Sequence, residues 1–201
     1  MAHKTPARRR RPAGARILKA ADRLLYSEGI HAVGIDRILE EAGVVKASLY
    51  SNFESKDQLV AEYLRQRSQR WRNLVETDLA KTGGSPEQKI LRIFELLGKS
   101  IQEPDYRGCP FINAVAEFPD PKHPVQVITA EHRHWLRALF QNLAKAAHLK
   151  NVESLVTALM MLYDGALVAG LLDKESEVLK SSTRAADALI SSAKSPLRFK
   201  N

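Results

Sequence analysis

Cysteine is all but missing from this chain of 201 residues: Cys109 stands alone. That excludes an intramolecular disulfide and makes a reducing cytoplasm the simplest home. Also missing is any apolar stretch behind the basic N-terminus, MAHKTPARRRRPAGAR, so the segment does not read as a signal peptide. Acidic side chains are absent from the same residues, 1 to 16, which carry Lys4, Arg8, Arg9, Arg10, Arg11 and Arg16. Strand-like alternation and internal repeats are absent too. Apolar spacing is helical throughout, which predicts an all-α chain. One long apolar run, Leu155 to Leu172, approaches a membrane span in length. Asp164 near its centre makes a helix buried between protein surfaces the better reading.

What is present is a core and an excess of positive charge. With 44% hydrophobic and 27% charged residues, the chain suits one or two globular domains. The net charge of +8 favours a polyanion, either nucleic acid or an anionic membrane. The basic tail alone decides nothing, because a solvated tail has the same composition.

About nine helices are expected. The first runs from Ala13 to Glu28, with Ile17, Ala20, Ala21, Leu24 and Leu25 on one face and Gly29 at its end. A second covers Ile35 to Ala42, and Gly43 supplies a tight turn. A third, Lys46 to Asn52, is anchored by Leu49 and Phe53, and Ser55 caps a fourth that continues to Lys81. After TGGSPEQ, with Ser85 as cap and Pro86 at the first helical position, a fifth runs to Ile101. The remaining four are Phe111 to Phe118, Val125 to Ala147, Val152 to Leu172 and Glu177 to Ala193, with KSPLRFKN fraying after them.

Seven residues from Lys46 to Asn52 make about two helical turns, roughly 10 Å, too short to be stable alone. Yet their outer face carries Lys46, Ser48, Tyr50, Ser51 and Asn52. Two short helices joined by a Gly turn, the second presenting polar groups, describe a helix-turn-helix. Such a unit lays its second helix in the major groove of DNA with its N-terminal residues nearest the bases. Lys46, Ala47 and Ser48 are then the base-edge candidates: a lysine donates to guanine, and an alanine methyl meets a thymine methyl.

GIHAVGIDRILEEAGVVKASLYSNFESKDQLV resembles the N-terminal domain of TetR-family transcriptional repressors. Gly29, Ile35, Ile38, Ala42, Gly43, Val44, Lys46, Leu49, Tyr50, Phe53, Ser55, Lys56, Asp57 and Leu59 fit that family's pattern. Beyond this part the chain matches in helix number and length, and RGCPFINAVAEFPDPKHPV looks like one C-terminal branch of the family. Several positions depart. Val45 stands where Ser or Thr caps the recognition helix, and Val33 and Gly34 replace hydroxyl residues before the second helix. Leu39 fills an Ala position, Asn52 a His position and Glu54 a Pro position. By the resemblance, Tyr50 and Lys56 contact phosphates. The DNA-facing set is Arg37, Val45, Lys46, Ala47, Ser48, Tyr50, Ser51, Asn52 and Lys56, with Arg9, Arg10 and Arg11 as an arm toward a minor groove or flanking phosphates.

The resemblance implies a DNA-binding domain over residues 1–54, helix four from 55 as the link, and a ligand-binding and dimerisation domain over 55–201. It implies a homodimer on a palindromic operator and release by a small, largely apolar effector that shifts the fourth helix. The dimer surface expected is Leu162, Gly165, Ala166, Ala169, Gly170, Ala186, Leu189 and Ile190. There, small residues four apart let a partner helix come close. Trp71, Phe94, Leu97, Phe111, Phe118, Trp135, Leu139, Tyr163 and Asp164 are the candidate ligand pocket. Asp164 either recognises a cation or pairs with an Arg or a backbone group.

Competing readings are weaker. Cys109 with His123, His132 or His134 suggests a nucleophile and base, but no sequence neighbour orients a triad. His132 and His134 are two apart on a helix, about 200° around it, so they do not chelate one metal from one face. Nothing asks for a cofactor. A ligand-free architectural DNA binder is the closest rival, and it requires a filled core without a cavity.

Overall fold

The structure is a computed structural model, and it describes residues 12–173 and 176–194. Among them are nine helices and no strand. In order they are α1 (Pro12–Glu28), α2 (Ile35–Ala42), α3 (Lys46–Tyr50), α4 (Lys56–Thr82), α5 (Pro86–Ile101), α6 (Pro110–Glu117), α7 (Pro124–Ala146), α8 (Val152–Leu172) and α9 (Ser176–Lys194). The all-α expectation holds, and most boundaries fall within a residue or two of those read from the sequence. Arg9, Arg10, Arg11 and the end KSPLRFKN from 195 lie outside the described residues.

Two compact units result. The first takes the chain up to Gln66 and then Ala114–Ile128; the second takes Arg67–Asn113 and the chain from Thr129. The helix-turn-helix unit is therefore discontinuous in sequence, and by compactness it runs past the 54/55 division expected for function. Its core follows the i, i+3, i+4, i+7 pattern of α1. Ile17, Ala21 and Leu24 of α1 are essentially without exposure, as are Ile38 of α2, Leu49 of α3 and Leu59 of α4, and α1 packs on α2 and α3. Gly43, at φ 60 and ψ 46, ends α2 in the left-handed region and bonds back to Glu40 and Leu39 carbonyls. That turn needs glycine.

α3 is shorter than the spacing predicts. Its five residues stop at Tyr50 because the next side chains divert the backbone acceptor. Ser51 Oγ and Asn52 Nδ2 both donate to the Ser48 carbonyl, at 3.1 and 2.7 Å. Such local bonds compete with continuing the helix. Ser55 does cap the following helix, its Oγ accepting from Gln58 N at 3.1 Å. Ser85 and Gln88 form a reciprocal capping box at α5.

The second unit is centred on Phe94 of α5, Phe140 of α7 and Tyr163 of α8, whose rings lie 5.9–6.4 Å apart. Helix α9 packs against α5 and α8. By length and composition α8 could cross a membrane. In the fold its Leu155, Val156, Leu159, Met160 and Tyr163 belong to this core.

The facing of α8 corrects part of the expected dimer surface. Ala166, Ala186 and Ile190 are core residues of the unit. Gly170 is buried as well, and a Cβ built there would stand 2.3 Å from Ile101 Cγ2. These four let α8 and α9 pack inside the chain. The outward row is Met161, Gly165, Val168 and Leu172, with Leu162, Ala169 and Leu189 half-buried at its sides. A Cβ at Gly165 meets nothing within 4 Å. Gly170→Ala is therefore expected to cost about 1–3 kcal/mol by overpacking. Thermal unfolding checks this: the midpoint of the variant must fall.

Candidate nucleic-acid interface

The interface is built outward from Leu49 and Phe53, which are buried and fix the underside of α3. With those two inside, the helical phase turns Val45, Lys46, Ala47, Tyr50 and Ser51 to solvent. Val45 is 71% and Tyr50 54% exposed, large values for apolar and aromatic side chains on a folded surface. Val45 occupies the N-cap position in extended conformation and makes no side-chain cap bond. The same is true of Gly34 before α2. Both missing caps were legible as departures from the family pattern.

The predicted set divides by what already holds each side chain. Tyr50, Ala47 and Val45 stand in the open. Lys46 Nζ lies 3.5 Å from Asp36 Oδ1, a solvent-exposed pair worth little by itself. Arg37 is forked onto the Glu28 carboxylate through both terminal nitrogens. Asn52 turns inward: besides its bond to the Ser48 carbonyl, its Oδ1 would lie 2.6 Å from a Cβ built on Gly14. Lys56 donates to the Ile30 carbonyl at 2.7 Å, leaving two of its three N–H donors for another acceptor.

Sequence reasoning missed Glu117. Its carboxylate accepts from Ile30 N at 2.9 Å and His31 N at 2.7 Å, and His31 Nδ1 lies 2.9 Å from the same Oε2. Burial pushes this carboxyl up, but the two backbone N–H groups and His31 hold it below its usual value. No local signal in the sequence marks a pairing across more than eighty residues.

A family model described as bacterial regulatory proteins, tetR family, matches residues 17–63. The solved structure of a TetR-family transcriptional regulator from Streptomyces coelicolor is 34% identical and superposes with a TM-score of 0.85, covering 91% of this chain and 96% of that one. This chain belongs to the TetR family of transcriptional regulators. Like its relatives it is a DNA-binding helix-turn-helix protein and not an enzyme. The TetR-type chain is also 22% identical to the HTH-type transcriptional regulator YjdC of Escherichia coli, over 87% of this chain and 91% of the relative. Escherichia coli NemR in its reduced form shares the fold, with a TM-score of 0.79 at 18% identity over 90% and 97% of the two chains.

The candidate ligand set of this TetR-family chain is mostly gathered in the second unit. Phe94, Leu97, Phe111 and Tyr163 are buried, while Trp71, Trp135 and Leu139 are partly so. The Arg72 guanidinium lies over the Trp135 ring at 5.2 Å. Trp71 Nε1 is buried without a hydrogen bond, although it lies near enough to lower the Tyr163 pKa; burial, the larger influence, pushes that phenol well up. Asp164 is forked onto Arg133 at 2.7 and 2.8 Å, which favours the second of its two expected roles. Phe118 departs from the set. Helix α6 ends at Glu117, and Phe118 falls in the first unit between His31, 4.8 Å away, and His123, 4.2 Å away. Cys109 has its thiol pushed up by burial, with backbone N–H groups of Ile112 and Phe111 opposing. A raised thiol is a poor nucleophile.

Proposed function

We propose that this regulator is a repressor which, as a homodimer, occupies a palindromic operator and is released by a small, largely apolar effector in the cytoplasm. The observation that carries the DNA-reading part is the outward row Lys46, Ala47 and Tyr50 on a helix whose underside is fixed by Leu49. In this reading residues 1–54 read DNA, with Lys46, Ala47 and Ser48 at base edges. Tyr50 and Lys56 sit on phosphates, with the arm Arg9–Arg11 and Arg37, Val45, Ser51 and Asn52 at the margin. Residues 55–201 hold the effector and the mate.

Two features support the rest. A groove of about 540 Å³ between α8 and α9 is lined by Met161, Leu162, Gly165, Ala166, Ala169 and Ala185, and Val168 and Leu172 of α8 are exposed apolar residues as well. A matching row on a second copy would bury it. The second-unit core is built from large apolar and aromatic side chains, Phe94, Phe140 and Tyr163 among them, the kind of lining an apolar effector would meet. Release requires only that the effector prefer the conformation that does not fit DNA.

The test begins with selection of bound duplexes from genomic fragments, followed by a compound screen for release. Tyr50→Phe should then weaken every duplex about equally, by roughly 1 kcal/mol per half-site, because a phosphate bond carries no sequence information. Gel shifts at fixed salt read this out. A solitary protein in solution, or wild type that ignores every duplex, ends the proposal.

A further inference from the structure

The first unit closes around one peptide. Gly29, at φ +100, ends α1 and turns the next two N–H groups away from the helix. Their acceptor is the Glu117 carboxylate, one oxygen to Ile30 N and the other to His31 N. The carbonyl of Ile30 is held from the other side by Lys56, the first residue of α4. The Glu117 side chain is 25% exposed, and bonds to an ionised acceptor are roughly twice as strong as neutral ones. Around it the His31, Phe118 and His123 rings stack in sequence. His123 Nε2 lies 3.5 Å from Asp57 Oδ2, and Gln126 Nε2 donates to the Phe118 carbonyl.

This turn feeds directly into α2 and so into α3. Val33, between them, is fully buried, which leaves the turn little freedom to settle elsewhere. The carboxylate that fixes it comes from residues outside the family match at 17–63. Helices α6 and α7, which bring it, each continue into the second unit.

We infer that Glu117 is a positioning residue for DNA recognition: its grip on the Ile30 and His31 amides sets the placement of α2 and α3. The inference rests on the DNA-reading function proposed above. When the carboxylate leaves the turn, the two amides lose their shared acceptor.

The test uses the full chain and Glu117→Gln, which keeps the size of the side chain but presents an NH2 to one of the two N–H groups. Affinity for an operator fragment selected by wild type should fall about tenfold, the scale of one lost charge-assisted bond. Affinity for a scrambled duplex at the same salt should fall much less, by about twofold, since phosphate contacts tolerate small shifts that base-edge contacts do not. Hydrogen exchange at Ile30 and His31 should quicken by at least about tenfold as their bonds open. Glu117→Asp, one methylene shorter, should fall between and serves if the Gln variant folds poorly. Unchanged operator preference in both variants overturns the inference, as does a parallel loss on both duplexes with a lowered unfolding midpoint. Failure of wild type to prefer any duplex sinks the repressor reading instead, so the two failures are distinct.

Discussion

Lys46→Ala should cost the dimer about thirtyfold or more in operator affinity while leaving scrambled duplexes much less affected. Each good side-chain pairing with a base edge discriminates by about 1–3 kcal/mol, and a two-fold dimer loses it at both half-sites, roughly 2–6 kcal/mol in all. Little in the free protein offsets this. Among the described residues Lys46 pairs with Asp36, an exposed ion pair, and such pairs are worth about 0–1 kcal/mol. The variant should also keep its fold, because the side chain is 61% exposed and the helix below it is held by Leu49. Anisotropy titrations on the selected operator and a scrambled control, both at one salt concentration, decide the matter. Equal loss on the two duplexes would make Lys46 a phosphate contact; no loss would remove it from the interface.

Acid should destabilise the second unit well before its carboxylates titrate. His132 is 7% exposed, lies 3.0 Å from the Ser68 hydroxyl and stacks on Phe111 at 4.0 Å. Burial, then the positive charges of Arg72 and Arg133, push its pKa down from 6.5 to about 4. The fold thus holds the neutral ring. Between 6.5 and about 4 the unfolded chain takes up a proton that the folded one refuses, so stability falls as pH falls through that window and is fully present above it. At about 1.4 kcal/mol per pH unit, the whole window is worth about 3 kcal/mol. The groups that resist acid, Glu87 at about 2 and Asp78 below its usual value, respond lower down. Urea unfolding at about pH 7 and about pH 5 should differ by roughly 2 kcal/mol in wild type and by much less in His132→Gln. Identical pH slopes in the two proteins would show that His132 is not the source.

Local chemistry made much of this fold legible. Gly43 with its left-handed backbone, Ser55 and Ser85 as caps and Pro86 at a helix start each act within a few residues, and the helix ends fall where those residues place them. The end of α3 was misjudged by two residues because Ser51 and Asn52 bond to Ser48 instead of extending the helix. Facing was harder in α8. A helix with apolar residues on every side has no stripe to read, so sequence could not separate Gly165, which looks outward, from Gly170, which abuts Ile101. For the interface, resemblance found the open positions on α3 but not that Arg37 and Asn52 are occupied within the chain. Glu117 was invisible for a different reason: a carboxylate at the end of one helix says nothing about amides across so long a loop of chain.

The segment Ala114–Ile128, which completes the first unit, also sets an order in synthesis. The amides of Ile30 and His31 find their acceptor 87 and 86 residues later. At about 5–20 residues added per second, the ribosome delivers Glu117 on the order of ten seconds after the turn has been made. A nascent or prematurely ended chain that stops in α5 would carry every residue of the helix-turn-helix and still lack its clasp. If Glu117 positions the recognition helix as inferred above, full operator preference waits for the middle of the message and not for its beginning.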